Sequence, residues 1–246
     1  MNSRLILSRL LIAGAFAIAP LTITGTAYAQ QGPAPAGDNM ITAIDILLEP
    51  DATMLKHAAA NNERLLKVFP KGFALDATHH PHITLIQRFV RTADLDKVYA
   101  AAQRVFAAAN VKAMKLEAFK FYYIAAGATG VAGICAKPTP QIIELQAKLI
   151  AAVAPYTVES GPIGAFTAPH SDPAVDTALI QYVSTFVPKQ TGDNFNPHVS
   201  TGVAPKEYLD QMLAEPFEPF SFSSAGAAIF QLGPFGTAAK MLREWH

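Results

Sequence analysis

The chain has 246 residues, of which 51% are hydrophobic and 15% are charged, and its 19 basic side chains balance its 19 acidic ones. The apolar content is ample for a full core. The balanced charge argues against binding of long nucleic acid by bulk charge, because non-specific affinity depends on neutralising phosphates with an excess of lysine and arginine. We therefore expect any polyanionic substrate to be small or to be bound locally.

The first 29 residues have the pattern of a secretory signal. Arg4 and Arg9 precede an apolar run over residues 10–24, and Ala27–Ala29 has the small-x-small form of a cleavage site. A retained membrane anchor is the weaker alternative, because the run is short for a membrane span and contains Pro20. We expect cleavage after Ala29 and export, most simply to a periplasm, with secretion as the alternative. The mature chain would then have 17 basic and 19 acidic side chains and no membrane attachment.

The remaining chain is predicted to be one domain. Residues 30–39, rich in Gln, Gly, Pro and Ala, are typical of a flexible lead-in, and residues 40–246 form the predicted single, two-lobed domain. Cys135 is the only cysteine, so no internal disulfide can form. It lies in an apolar run, which predicts a buried thiol rather than a nucleophile.

Hydrophobic periodicity and capping residues predict alternating strands and helices. The first half begins with a strand over residues 41–48 and a helix over about 52–68 capped by Asp51, followed by a strand from His82 to about Val90 and a helix capped by Thr92. Strands over about 115–125 and 131–137 come next, then a helix with Thr139 as cap and Pro140 at its first position, and a connector over 157–171. The second half has a helix from Pro173 to about Phe186, a strand at His198, a short helix after Pro205 and a closing hairpin.

The predicted elements repeat. In each half a helix is followed by a strand with a histidine, a second helix and a hairpin bounded by glycines, which are Gly127 and Gly130 in one half and Gly233 and Gly236 in the other. This order predicts an α+β fold that is bilobal, with duplicated strand-helix-hairpin units and antiparallel or mixed sheets around a central cleft. A doubly wound parallel sheet is disfavoured, since the sequence contains no glycine-rich nucleotide loop.

Two histidines occupy matching positions in these halves. Residues 81–85 read Pro-His-Ile-Thr-Leu, and residues 197–201 read Pro-His-Val-Ser-Thr. Side chains alternate along a strand, so His82 and Thr84 share one face, as do His198 and Ser200. Two such strands placed together would surround one small volume with two imidazoles and two hydroxyls, a set that can move protons at neutral pH. Thr201 should point the other way and is interpreted as structural.

The paired motifs resemble those of the two-histidine (2H) phosphoesterase superfamily, in particular its bacterial 2′–5′ RNA ligase-like branch. The resemblance extends from Ile41 to the end of the chain. It implies a metal-independent phosphodiesterase that needs no cofactor, with His82 and His198 as acid and base and with Thr84 and Ser200 as the accompanying hydroxyls. It also implies small substrates, namely 2′,3′-cyclic nucleotides, RNA ends with a cyclic phosphate, or 2′–5′ linkages.

Three alternatives concern the surroundings of these motifs. Tyr122, Tyr123 and Phe195 could stack on a base, or they could simply pack in the core. The connector over residues 157–171 could act as a lid. The duplicated pocket could also bind a nucleotide or another phosphorylated ligand without turning it over.

The last alternative is a metal-dependent hydrolase built on a histidine cluster. His79, His80 and His82 lie close together in sequence, and His198 with Asp193 or His170 could complete a zinc site. No His-Glu-x-x-His motif accompanies them, so we expect no metal.

Overall fold

The structure, a computed structural model, describes residues 40–168 and 173–246, except for the side chains of residues 173 and 174. The predicted signal at residues 1–29, the lead-in at residues 30–39 and His170 lie outside the described residues. No helix in the described part is long and apolar enough to cross a membrane.

Helices and strands alternate along the described chain. The helices are α1 (Ala52–Val68), α2 (Leu95–Ala109), α3 (Pro140–Val153), α4 (Pro173–Ser184), α5 (Phe186–Gln190) and α6 (Lys206–Ala214). The strands are β1 (Ile41–Pro50), β2 (Ile83–Arg91), β3 (Lys115–Ala126), β4 (Thr129–Ala136), β5 (Thr157–Val158), β6 (His198–Pro205), β7 (Phe220–Leu232) and β8 (Ala238–Trp245).

The strands form one antiparallel sheet in the order β1-β2-β6-β4-β3-β7-β8. Strand β5 pairs with β2, and β7 pairs with β1 as well as with β3 and β8. The six strands β1, β2, β6, β4, β3 and β7 therefore form a closed ring of pairings. The α+β class and the antiparallel pairing predicted from the sequence are confirmed.

The predicted repetition is present in the order of the elements. The first unit runs α1, β2, α2, β3 and β4, and the second runs α4 and α5, β6, α6, β7 and β8. The units exchange strands, because the second hairpin pairs with β1 while the first hairpin pairs with β6. Each part of the sheet thus contains strands from both units, and this exchange makes the two histidine-bearing strands neighbours.

Helix capping follows the sequence in two of three places. The Asp51 side chain accepts hydrogen bonds from the backbone N–H groups at the start of α1, and Thr139 caps α3 with Pro140 at its first position. The prediction for Thr92 is wrong. A short 3-10 turn precedes α2, which begins at Leu95, and the Thr92 hydroxyl is hydrogen-bonded to Thr42 on β1 over 2.8 Å.

The buried apolar side chains of the described residues form four clusters. Helix α2 contributes Val98, Ala102 and Phe106 to the largest cluster, as its apolar stripe predicts. Cys135 is fully buried, as expected. The helix predicted to reach Phe186 ends earlier, at Ser184, and α5 follows it directly.

Candidate active site

One strand pairing brings the two motifs together. In the described chain, β2 and β6 are joined through the pair Ile83 and Val199. Both of these side chains are buried in the core. Because neighbours along a strand face opposite sides, the residues that flank this pair on both strands share the other face. These are His82 and Thr84 on one side of the junction and His198 and Ser200 on the other.

All four of these side chains line one cavity of about 310 Å³. The other walls come from β2, β3, α4, the segment before β6 and the β7–β8 turn. They include Gln87, Tyr122, Leu179, Tyr182, Phe195 and Asn196. A volume of this size lies at the lower end of the range of small-molecule sites.

A backbone carbonyl two residues earlier orients each imidazole. His82 Nδ1 donates to the His80 carbonyl oxygen over 2.6 Å, and His198 Nδ1 donates to the Asn196 carbonyl oxygen over 2.7 Å. In each motif a proline stands between the two partners and restricts the residue before it to extended backbone, which holds the carbonyl in place. With Nδ1 occupied, Nε2 is the nitrogen that can act on a ligand.

Asp45, a site residue that the motifs did not predict, lies behind the cavity wall. It is the only charged residue in the apolar strand over 41–48, and an isolated charge of this kind in a buried strand indicates a functional role. It pairs with Gln87, and a bulge in the β1–β2 pairing brings Thr84 to the same face. The Asp45 side chain is fully buried, and its Oδ2 accepts hydrogen bonds from the Thr84 hydroxyl (2.7 Å) and from Gln87 Nε2 (3.0 Å).

The two imidazoles differ in their electrostatic surroundings. Burial opposes the charge of His82, but Asp45 Oδ2 lies 3.4 Å from its Nε2, and the net effect raises the pKa of His82 above its usual value. Burial lowers the pKa of His198, and repulsion from His82 adds to this although the Asn196 carbonyl favours the charged form. The two pKa shifts have opposite directions, so His82 is the more easily protonated of the two imidazoles.

The two hydroxyls also differ. Thr84 gives its proton to Asp45, whereas the Ser200 hydroxyl makes no hydrogen bond within the described part of the chain and is open to a ligand. Thr201 faces away from the cavity, as predicted. Its hydroxyl accepts from Asn61 Nδ2 over 2.7 Å and donates to the Ala132 carbonyl oxygen over 3.3 Å.

The two tyrosines lie on opposite faces of β3, and Phe195 lies in the segment before β6. The ring centroids of Tyr122 and His198 lie 5.1 Å apart, and Tyr122 and Phe195 both line the cavity. Tyr123 does not line it, contrary to the expectation, because adjacent residues of a strand face opposite sides. Its hydroxyl instead donates to Asp210 on α6 over 2.5 Å.

The histidine cluster considered as a metal site is divided in the structure. The His79 ring stacks on Phe73, and His80 turns its Nε2 to Glu49 Oε1, 3.4 Å away. These rings do not converge on His82. Among the residues described, the one group of three or more side chains placed to share a cation is Glu49, Glu244 and His246, none of which lines the cavity.

No family model and no curated protein matches the chain. Similar solved structures include TT0787 of Thermus thermophilus, at 17% identity over 83% of this chain and 97% of that one, with a TM-score of 0.47. E. coli LigT complexed with ATP is 13% identical over 83% and 96%, with a TM-score of 0.40. Kluyveromyces marxianus Usb1 with uridine monophosphate is 12% identical over 81% and 97%, with a TM-score of 0.41.

Proposed function

We propose that the protein is a metal-independent phosphodiesterase that acts on small phosphodiesters such as 2′,3′-cyclic nucleotides or RNA ends. The observation that carries this proposal is the arrangement of His82 and His198. Both donate Nδ1–H to a backbone carbonyl, and both line the same cavity. Two imidazoles fixed in this way can act as an acid and a base on one bound molecule.

The hydrolysis of a cyclic phosphodiester is accelerated by a base and an acid, and this pair of imidazoles can supply both. One imidazole removes a proton from water as the water oxygen forms a bond to phosphorus. The other gives a proton to the ribose oxygen as its bond to phosphorus breaks. Each role can contribute about 10²–10⁴-fold to the rate. Because one imidazole gains a proton and the other loses one, the total charge of His82 and His198 is unchanged.

Ser200 supplies a donor for the developing negative charge. Its hydroxyl lies on the same face as both imidazoles and makes no hydrogen bond within the described chain. Phosphorus in the transition state carries extra charge on its non-bridging oxygens, and a preorganised donor in a partly buried cavity stabilises that charge. Thr84, which donates to Asp45, would support His82 instead.

The walls of the cavity support a small substrate with one planar ring. Tyr122, Tyr182 and Phe195 offer aromatic surfaces beside the histidines, and stacking on such rings is a common way to bind a base. The volume of about 310 Å³ suits a mononucleotide or a strand end better than the body of a polynucleotide. A nucleoside 2′,3′-cyclic phosphate meets both requirements.

The decisive experiment measures hydrolysis of 2′,3′-cyclic nucleotides in the presence of EDTA by the wild type, His82→Ala and His198→Ala. We expect activity in the wild type and a loss of at least about 10²-fold in each variant. His57→Ala is the matched control, since His57 is exposed on α1 and outside the cavity. It should retain full activity.

Each other result would contradict part of the proposal. Full activity in both histidine variants would overturn the chemistry. Binding of the nucleotide without turnover would identify a binding protein, and a loss of activity in EDTA that added Zn²⁺ restores would identify a metal-dependent hydrolase.

A further inference from the structure

Asp45 is a buried carboxylate that a nearby positive charge would stabilise. Its Oδ2 accepts from Thr84 and Gln87, while its Oδ1 is buried and has no hydrogen-bond partner among the described residues. A carboxylate removed from water is costly unless it is paired. The positively chargeable group closest to it in the described structure is the His82 imidazole, with Nε2 at 3.4 Å from Oδ2.

The hydrogen bonds around Thr84 indicate the protonation state of His82. Thr84 has one hydroxyl proton, which it donates to Asp45 over 2.7 Å. Toward His82 Nε2, at 3.2 Å, the same oxygen can therefore only accept. Nε2 must then carry a proton, and Nδ1 carries another because it donates to the His80 carbonyl. A histidine with both nitrogens protonated is an imidazolium.

Asp45 favours a charge on His198 only weakly, through space and without a hydrogen bond or ion pair among the described residues. The Nδ1 of His198 donates to Asn196, and its Nε2 makes no hydrogen bond within the described part of the chain. A charge on His82 also disfavours a second charge on His198. The His198 ring is thus suited to keep a free electron pair on Nε2, as a base requires.

Asp45 is the main source of this asymmetry among the described groups that face the pair. The other titratable groups are Tyr122 from β3 and Tyr182 from α4. Burial raises the pKa of Tyr122 and raises that of Tyr182 to about 12, so both are neutral at pH 7. Within the described lining of the cavity there is no lysine or arginine.

We infer that Asp45 is a positioning residue that holds His82 as the charged member of the pair and leaves His198 neutral. In hydrolysis, His198 Nε2 would then take the proton of the attacking water, and His82 Nε2–H would protonate the ribose oxygen that leaves phosphorus. Afterwards His198 is charged and His82 neutral, and proton exchange with water restores the starting state. The assignment of acid and base rests on the proposed function, whereas the charge of His82 does not.

The charge is tested by NMR titration of the histidine rings in the wild type and in Asp45→Asn, with His82→Gln and His198→Gln used to assign the signals. We expect the wild-type pKa of His82 to exceed that of His198. In Asp45→Asn the pKa of His82 should fall by about one pH unit or more. Asp94→Asn is the control, because Asp94 is mostly buried but pairs with Arg91 and Lys97 away from the cavity, and it should leave both rings unchanged.

The pH profile of kcat/KM for a 2′,3′-cyclic nucleotide tests the acid and base roles. Activity should rise with pH as His198 loses its proton and fall as His82 loses its own. Because Asp45→Asn lowers the pKa of His82, the fall should move to lower pH. The variant should lose about tenfold at pH 8 and much less at pH 6. A merely structural role for Asp45 would lower activity equally at all pH values.

Two outcomes would overturn the inference. One is a wild-type protein in which His82 titrates at or below His198, a result that needs no variant and decides the matter even if Asp45→Asn does not fold. The other is an unchanged His82 pKa in a folded Asp45→Asn protein. If the wild type hydrolyses no cyclic nucleotide but the His82 pKa falls in Asp45→Asn, the proposed function fails while the role of Asp45 in charging His82 stands.

Discussion

A Cβ atom placed on Gly133 would lie 2.9 Å from the carbonyl oxygen of Val199 and 3.5 Å from Cδ2 of the His198 ring. Gly133 is on β4, directly opposite Ser200 on β6. The backbone of β4 and that of the second motif can therefore approach closely only because this residue has no side chain.

Gly133→Ala should displace the second motif. The neighbour at 2.9 Å is backbone, so the strand and its His198 and Ser200 side chains must shift. A displacement of this kind costs catalysis, since errors of about 1 Å in a catalytic group reduce rates by about 10²-fold. We expect kcat/KM for a cyclic nucleotide to fall at least about tenfold. Gly164→Ala, where no atom lies within 4 Å of the added Cβ, should behave as wild type, and equal activity in both variants would argue against the close approach.

The two motif hydroxyls should respond differently to removal. Ser200→Ala removes a hydroxyl that has no partner in the described chain, so we expect unchanged stability and a kcat reduced by about 10²-fold. Thr84→Val leaves Asp45 without one of its donors and should destabilise the fold by about 1–3 kcal/mol. Chemical denaturation and steady-state kinetics of both variants measure these effects. Full activity of Ser200→Ala would remove Ser200 from the proposed mechanism.

Asn62, on α1, connects this helix to the second motif and to the loop that precedes the first motif. Its Nδ2 donates to the carbonyl oxygens of Phe73 and Thr201, and its Oδ1 accepts from the Leu75 N–H. The side chain is 6% exposed, so these partners would lose their bonds without gaining water. Asn62→Ala should lower the free energy of unfolding by about 3 kcal/mol, while the exposed Asn194→Ala should change it by less than about 0.5 kcal/mol. Urea denaturation of the two variants measures this difference, and similar unfolding midpoints would contradict the stabilising role of Asn62.

Cys135 should be unreactive in the folded protein. Burial raises the pKa of its thiol to about 11, and only the thiolate attacks alkylating reagents. At pH 8 the thiolate fraction is then about 10² times smaller than at the usual thiol pKa of about 8.5. Alkylation by iodoacetamide should be slower by at least that factor in buffer than in guanidinium chloride. Equal rates would show an accessible, reactive cysteine.

Export remains a proposal that rests on residues 1–29. We expect the mature protein to begin at Gln30, with the arginines of the signal removed. Expression of the full chain in a Gram-negative host, followed by fractionation and mass measurement, tests this. An intact N-terminus in the cytoplasmic fraction would contradict it.

Local features of the fold could be predicted because their physical cause lies within a few residues. Asp51 and Thr139 cap helices through hydrogen bonds that span two or three residues. The alternation around His82 and His198 follows from strand geometry, and Nδ1 of each finds a carbonyl only two positions earlier. The repeated order of helix, strand, helix and hairpin was visible for the same reason.

The tertiary structure alone determined which distant groups meet. The pairing of Ile83 with Val199 joins segments 116 residues apart, and no local preference encodes it. The bulge that turns both Thr84 and Gln87 toward Asp45 depends on the register of β1 against β2. Register is set by packing across the whole sheet, because a slip of one residue moves every side chain to the other face. The sequence thus identified the two imidazoles of His82 and His198, whereas the folded sheet places the Asp45 carboxylate beside His82, so that the two rings differ in pKa.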